Sequence, residues 1–103
     1  MAAVQLRRYQ LSENTLAEWV AHWREDVVWL RKEYGFRVLF AYADYINHQF
    51  VWAVSYDGSP EQLVARDREY HASPEWEKAN AGKNGPILRT TISIVEEVWP
   101  PAT

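Results

Sequence analysis

Two neighbouring stretches, FRVLFAYADY (residues 36–45) and HQFVWAVSYD (residues 48–57), limit the fold more than any other part of the chain. Both are rich in β-branched and aromatic residues, and only Ile46-Asn47 separates them, which predicts an antiparallel hairpin. Neither alternates cleanly between apolar and polar. In the second, Phe50, Trp52, Val54 and Tyr56 fall on one face, and Val51 and Ala53 on the other. In the first, Phe36, Val38, Phe40 and Tyr42 oppose Leu39, Ala41 and Ala43. Side chains alternate along a strand, so a sheet apolar on both faces needs cover on both. Helices can cover one face. A second copy of the chain, packed sheet to sheet, is the economical cover for the other, so a homodimer is expected.

The flanking segments supply the rest of the architecture. VQLRRYQL (4–11) reads as a strand with Leu6, Arg8 and Gln10 on one face and Gln5, Arg7, Tyr9 and Leu11 on the other. After a cap at Ser12 or Asn14, the residues Leu16, Trp19, Val20, Trp23, Val27, Leu30 and Tyr34 form a helical stripe, which Gly35 ends. Ser59-Pro60-Glu61-Gln62 has the form of a capping box with proline at the first helical position, and Ser73-Pro74-Glu75 starts a further short helix. NAGKNGPI (80–87) is a loop, and LRTTISIVEEVW (88–99) is the last strand, stopped by Pro100-Pro101. The order strand, helix, strand, strand, helix, strand is the split βαβ, ferredoxin-like arrangement. This predicts an α+β fold over residues 1–103, with a four-stranded antiparallel sheet carrying its helices on one face.

Composition narrows the function. The 103 residues include six tryptophans and six tyrosines, more aromatic surface than a small core needs, which points to a pocket or an interface. The net charge is −3 and no basic run is longer than Arg7-Arg8, which speaks against a nucleic-acid partner. Without cysteine there is no thiolate nucleophile or cysteine zinc site. No apolar run spans a bilayer and the N-terminus has no signal core, so no membrane partner and a cytoplasmic location are expected. His22, His48 and His71 show no metal-ligand spacing, and GKNG (82–85) is no phosphate loop.

The stretch LVARDREYHASPEW (63–76) is different in kind. Drawn as a helix, it puts Leu63, Val64, Asp67, Tyr70 and His71 on one face with a carboxylate at the centre. A carboxylate on a core-facing surface is costly unless it is paired. His71, one turn on, and Arg7 and Tyr9, from the first strand, are candidate partners. Two readings follow. In one, Asp67 orients His71 as a general acid or base, and Arg7 or Tyr9 stabilises an enolate-like anion. In the other, an Arg7–Asp67 bridge, or a cap on the turn at Ser73, fixes the helix in place. Tyr42, Trp52, Tyr56, Tyr70 and Trp76 could line one apolar cavity suited to a flat ligand, although Trp19, Trp23 and Trp52 also serve as plain core. Trp29 falls off the helical stripe and is expected to be covered by the C-terminal tail or by a partner subunit.

Taken together, LRRY, EYGF, FVWAVSYD, ARDREYHASPEW and VEEVWP resemble the NIPSNAP family, in order and over nearly the whole chain. The resemblance implies a compact ferredoxin-like protomer in a dimeric α+β barrel built through the sheets. Its wider group includes cofactor-independent monooxygenases, haem-dependent enzymes and small isomerases, and it carries over no catalytic motif. A haem bound through His71 or His48 would rest on that analogy alone. The expectation is therefore a homodimer with a cavity for a hydrophobic or aromatic metabolite. No cofactor is expected, and the chemistry would be proton transfer of an isomerase, cyclase or monooxygenase kind. The competing expectation is a non-catalytic binding or structural dimer.

Overall fold

A computed structural model describes residues 2–101. Strand β1 (Ala2–Leu11) leads into a long helix made of α1 (Leu16–His22), a π-helical turn (Trp23–Val27) and α2 (Val28–Glu33). Strands β2 (Phe36–Asp44) and β3 (Gln49–Asp57) follow, then α3 (Pro60–His71), α4 (Pro74–Asn80) and β4 (Ile87–Val95). The sheet order is β2-β3-β1-β4 and every pairing is antiparallel. This is the βαββαβ topology expected from the sequence. No helix among the described residues is long and apolar enough to cross a membrane.

Local chemistry explains the boundaries. Ser59 Oγ accepts from the Gln62 amide at 3.1 Å while Gln62 Oε1 accepts from the Ser59 amide at 2.8 Å, which is the complete capping box. Ser73 Oγ accepts from the Trp76 amide and donates to the Tyr70 carbonyl, so one hydroxyl closes α3 and opens α4. Gly35 stands at φ 91°, the left-handed geometry that ends α2 and aims the chain into β2. The hairpin turn is longer than Ile46-Asn47 alone. Asp44 Oδ1 accepts from the Ile46 and Asn47 amides, and His48 takes a positive φ of 55° before β3 begins. The last strand ends at Val95 rather than at residue 99, and Val98 and Trp99 lie exposed beyond it.

The core lies between the helices and one face of the sheet. Leu11, Phe50, Trp52, Val54 and Leu63 are almost completely buried there. Trp23 meets Phe50 and Trp52 edge-to-face with ring centres 5.2 and 5.5 Å apart, and Tyr9 meets Trp19 in the same way at 5.6 Å.

Two departures from regular geometry move residues off the faces that simple periodicity assigns. A bulge between Val38 and Phe40 adds one residue to β2. Phe36 and Val38 face the helices, but beyond the bulge it is Ala41 and Ala43 that do so, opposite Trp52 and Phe50. Phe40 and Tyr42 therefore turn to the outer face, and Tyr42 is 70% exposed. The π turn acts similarly in the helix. The Val28 amide bonds back to the Trp23 carbonyl, five residues earlier, which widens the turn and brings Arg31 into the buried stripe. Trp29 points away as its position suggested; among the described residues it is 61% exposed, with Lys32 over its ring and no cover from the tail as far as residue 101.

The helices cover the sheet unevenly. α2 packs on β2, and α3 on β1 and β3. On β4, Ile92 and Ile94 pair with Arg7 and Gln5 and share their helix-side face, yet both remain nearly half exposed. The outer face is apolar over Leu6, Phe40, Tyr42, Val51 and Ala53.

Candidate functional site

A cavity of about 330 Å³ opens between β1, the π turn, α3 and the 81–86 loop. Its floor is Arg7, Tyr9 and Trp52 of the sheet. Trp19, Val27 and Arg31 form one wall, and Tyr70, His71 and Trp76 the other. Six residues singled out from sequence, Arg7, Tyr9, Trp52, Tyr70, His71 and Trp76, thus meet in one place. Asp67 lies just behind them. Tyr42 and Tyr56 do not take part. The β2 bulge turns Tyr42 to the outer face, and Tyr56 packs on Phe36 near Gly35 at the far end of α3. Val64 is also off the buried face of α3, 40% exposed.

Asp67 is paired more tightly with a residue that sequence reasoning missed. Arg31 Nη1 donates to Asp67 Oδ1 at 2.6 Å, whereas Arg7 Nη1 stands 3.6 Å from Asp67 Oδ2. Arg31 is 1% exposed, and its guanidinium lies over the rings of Tyr70, Phe36 and Trp52, at 4.1 Å from the Tyr70 centre. Arg7 is held from its own strand. Its Nη1 donates to Gln5 Oε1 and its Nε to the Tyr9 hydroxyl, each at 2.8 Å. The signal for Arg31 was present in the sequence, since it stands four residues after Val27, but only the widened π turn brings that position fully inward.

His71 is oriented by the backbone of Asp67. Its Nδ1 lies 2.8 Å from the Asp67 carbonyl oxygen and 3.4 Å from Asp67 Oδ1. A carbonyl only accepts, so Nδ1 carries the proton, and Nε2 keeps its lone pair with no protein partner among the described residues. His71 in turn packs on Trp76, ring centres 5.4 Å apart. The helix that carries Trp76 is tied to the long helix through Asn80. Asn80 Nδ2 donates to the Trp76 carbonyl, and its Oδ1 accepts from His22 Nε2 at 3.0 Å. The role of Asp67 as a cap for Ser73 is not found, since Ser73 bonds to Tyr70 and Trp76.

The electrostatics follow from burial and neighbouring charge. Burial pushes the Asp67 carboxyl up, but the Arg31, Arg7 and His71 charges and the Arg31 hydrogen bond together hold it below its ordinary 3.8. Burial draws His71 below its ordinary 6.5, with Asp67 opposing, so the imidazole is neutral at neutral pH. Burial likewise pushes the Tyr70 phenol up to about 12. No group of three or more metal-ligating side chains exists among the described residues, and His48 lies in the hairpin turn, away from the cavity.

The sheet topology and this cavity define the chain as a ferredoxin-like α+β protein with a pocket between helices and sheet. The NIPSNAP family model matches residues 4–96, and the chain belongs to that family. Solved structures carry the same fold at low identity. A NIPSNAP family protein from Agrobacterium tumefaciens is 13% identical, with a TM-score of 0.83, over 99% of this chain and 98% of that one. A NIPSNAP-like domain protein from Burkholderia xenovorans is 21% identical, with a TM-score of 0.81, over 97% and 89%. A putative antibiotic biosynthesis monooxygenase from Bacteriodes thetaiotaomicron is 18% identical, with a TM-score of 0.71, over 99% and 93%. No curated protein matches the chain.

Two predictions follow from the buried charges. Asp67→Asn leaves two buried guanidiniums without a carboxylate, and denaturant unfolding is expected to show a loss of about 3–5 kcal/mol. Combined with Arg31→Met the loss should be clearly less than additive, and an additive result would mean that the pair is not coupled. The second concerns pH. The unfolded chain protonates His71 near 6.5 and the folded chain only at lower pH, so stability falls as pH drops through that window. Asp67 acts with the same sign at lower pH. The stability it contributes is present above 3.8 and is lost as pH falls through its depressed folded value. In melting curves across pH, His71→Gln should show a shallower decline than wild type below about pH 6.5. An unchanged slope would contradict the assignment.

Proposed function

We propose that this protein is a homodimer whose cavity holds a hydrophobic or aromatic carbonyl compound and moves a proton on it without a cofactor. The observation that carries this reading is the 2.8 Å contact of His71 Nδ1 with the Asp67 carbonyl oxygen. With Nδ1 committed to the Asp67 carbonyl, Nε2 is a neutral base at the wall of a pocket that also holds Arg7 and Arg31.

The chemistry balances with the chain's own groups. His71 Nε2 takes a proton from the carbon next to the carbonyl, and the C–H electron pair forms the enolate double bond. The charge that develops on oxygen is met by a guanidinium already in place, which needs no reorganisation at the moment of reaction. Return of the proton to a different carbon completes an isomerisation; attack of the enolate carbon on an internal carbonyl closes a ring and leaves an alkoxide, which takes the proton back from His71 to complete a cyclisation. Oxygenation of the monooxygenase kind would begin with the same deprotonation. The aromatic walls exclude water and suit a flat substrate.

A second reading, a non-catalytic binding or structural dimer, is favoured by the Arg31–Asp67 contact, because a pair so short and buried also serves as an anchor. The two separate on His71. Incubated in D2O with a panel of aromatic 1,3-diketones, the wild type is expected to catalyse deuterium incorporation read by mass spectrometry. His71→Ala should reduce it about 100-fold or more with little change in melting temperature. Equal incorporation by both proteins, or none by either, would favour the non-catalytic reading.

The dimer rests on the outer sheet face, where Leu6, Phe40, Tyr42 and Val51 present an apolar surface that no helix covers. Native mass spectrometry is expected to show a dimer that Phe40→Asp with Tyr42→Asp converts to monomer. A monomeric wild type at micromolar concentration would refute it.

A further inference from the structure

We infer that the cavity is built for an organic acid, with its carboxylate against Arg7 and Arg31 and an aryl body among Trp19, Trp52 and Trp76. This rests on the reading of the cavity as a ligand site and names the class of ligand.

The charge inventory carries the argument. Two buried guanidiniums face one space, yet Asp67 is the only carboxylate in contact with either among the described residues, and the cavity lining contains no acid. Elsewhere in the lining, burial draws His71 down and pushes the Tyr70 phenol up to about 12, so neither supplies a negative charge at neutral pH. Asp26, on the π turn beside Val27, is already engaged by His22 and Lys83. One positive charge therefore stays unmatched in a mostly buried space. An unmatched buried charge is costly, and an anionic ligand relieves that cost.

The hydrogen-bonding inventory agrees. Among the described residues, Arg31 Nε, Trp19 Nε1, Trp52 Nε1 and the Tyr70 hydroxyl are buried without a protein partner, and all four belong to residues that line the cavity. The Tyr9 hydroxyl accepts from Arg7 Nε, which leaves its own hydrogen to be given away. Against these donors stand His71 Nε2 and Asn84 Oδ1, acceptors that cannot also donate. A site so weighted toward donors is matched by a ligand weighted toward acceptors, and a carboxylate is the commonest such group that a guanidinium fork binds with two parallel bonds. The size, about 330 Å³, suits a single-ring or fused-ring acid.

The test compares acids with their neutral isosteres on the intact protein. Phenylacetate, 4-hydroxybenzoate and indole-3-acetate are titrated by calorimetry, each beside its carboxamide and with formate as a bare anion. At least one acid is expected to bind about tenfold or more tightly than its amide, the ratio expected when a charge-assisted bond replaces a neutral one. Arg7→Gln should erase that ratio, and Tyr70→Phe, which keeps the ring, should narrow it. If every amide binds as well as its acid, or if no acid binds at millimolar concentration, the inference is overturned. Formate binding as tightly as the aryl acids would overturn its aryl half. Proton transfer stands or falls separately, on the His71→Ala deuterium experiment. Tight acid binding without exchange would mean a binding protein for acids, and exchange without acid preference would mean an enzyme for neutral carbonyls.

Discussion

The contact between Arg31 and Asp67 is the interaction on which the rest of the molecule depends. It joins the end of the long helix to the middle of α3, directly above the sheet. Neither charge could remain buried alone. Arg31 also lies against Tyr70 and Trp52, so the same guanidinium fixes the aromatic walls of the cavity. Since Asp67 also presents its carbonyl to His71, one residue anchors the helix through its side chain and orients the imidazole through its main chain. The anchoring of α3 and the orientation of the proposed base are therefore not alternatives at this position; they involve different atoms of the same residue.

The polar groups of the site are graded by what holds them. Arg7 is fixed by Gln5 and Tyr9 from its own strand, and its grip on Asp67 is looser than that of Arg31. Trp76 is held at one remove, through Asn80 and His22. The floor of the cavity is therefore set by the sheet, while the Trp76 wall depends on a short helix tied down by side chains. The three solved structures named above share this fold at 13% to 21% identity, a level at which such side-chain details can differ while the backbone persists.

Much of this was legible in the sequence. The element order and the capping box at Ser59 follow from strand alternation and helical spacing, and the approach of Arg7, Tyr9 and His71 to Asp67 follows from the cost of burying a carboxylate. What was not legible has a common cause. Tyr42 was assigned to the cavity by counting in twos, and the extra residue at Leu39 breaks that count. Arg31 lay beside the expected stripe, and the π turn moved the stripe onto it. Both are single-residue slips of backbone phase, set by tertiary packing rather than by local propensity. The His71 tautomer was also out of reach, because the expected partner was the Asp67 side chain and the actual one is its carbonyl.

The bulge in β2 has a consequence for how such chains avoid misassembly. β2 is an outermost strand, and its free amides and carbonyls are a template onto which another extended chain could zip. The irregularity at Leu39 interrupts that template near its middle, so no long straight run of hydrogen-bonding groups is presented to a neighbour. Open-ended growth by strand addition is thereby discouraged along this side, while the broad apolar face, which can be satisfied by a single closed pairing, stays available.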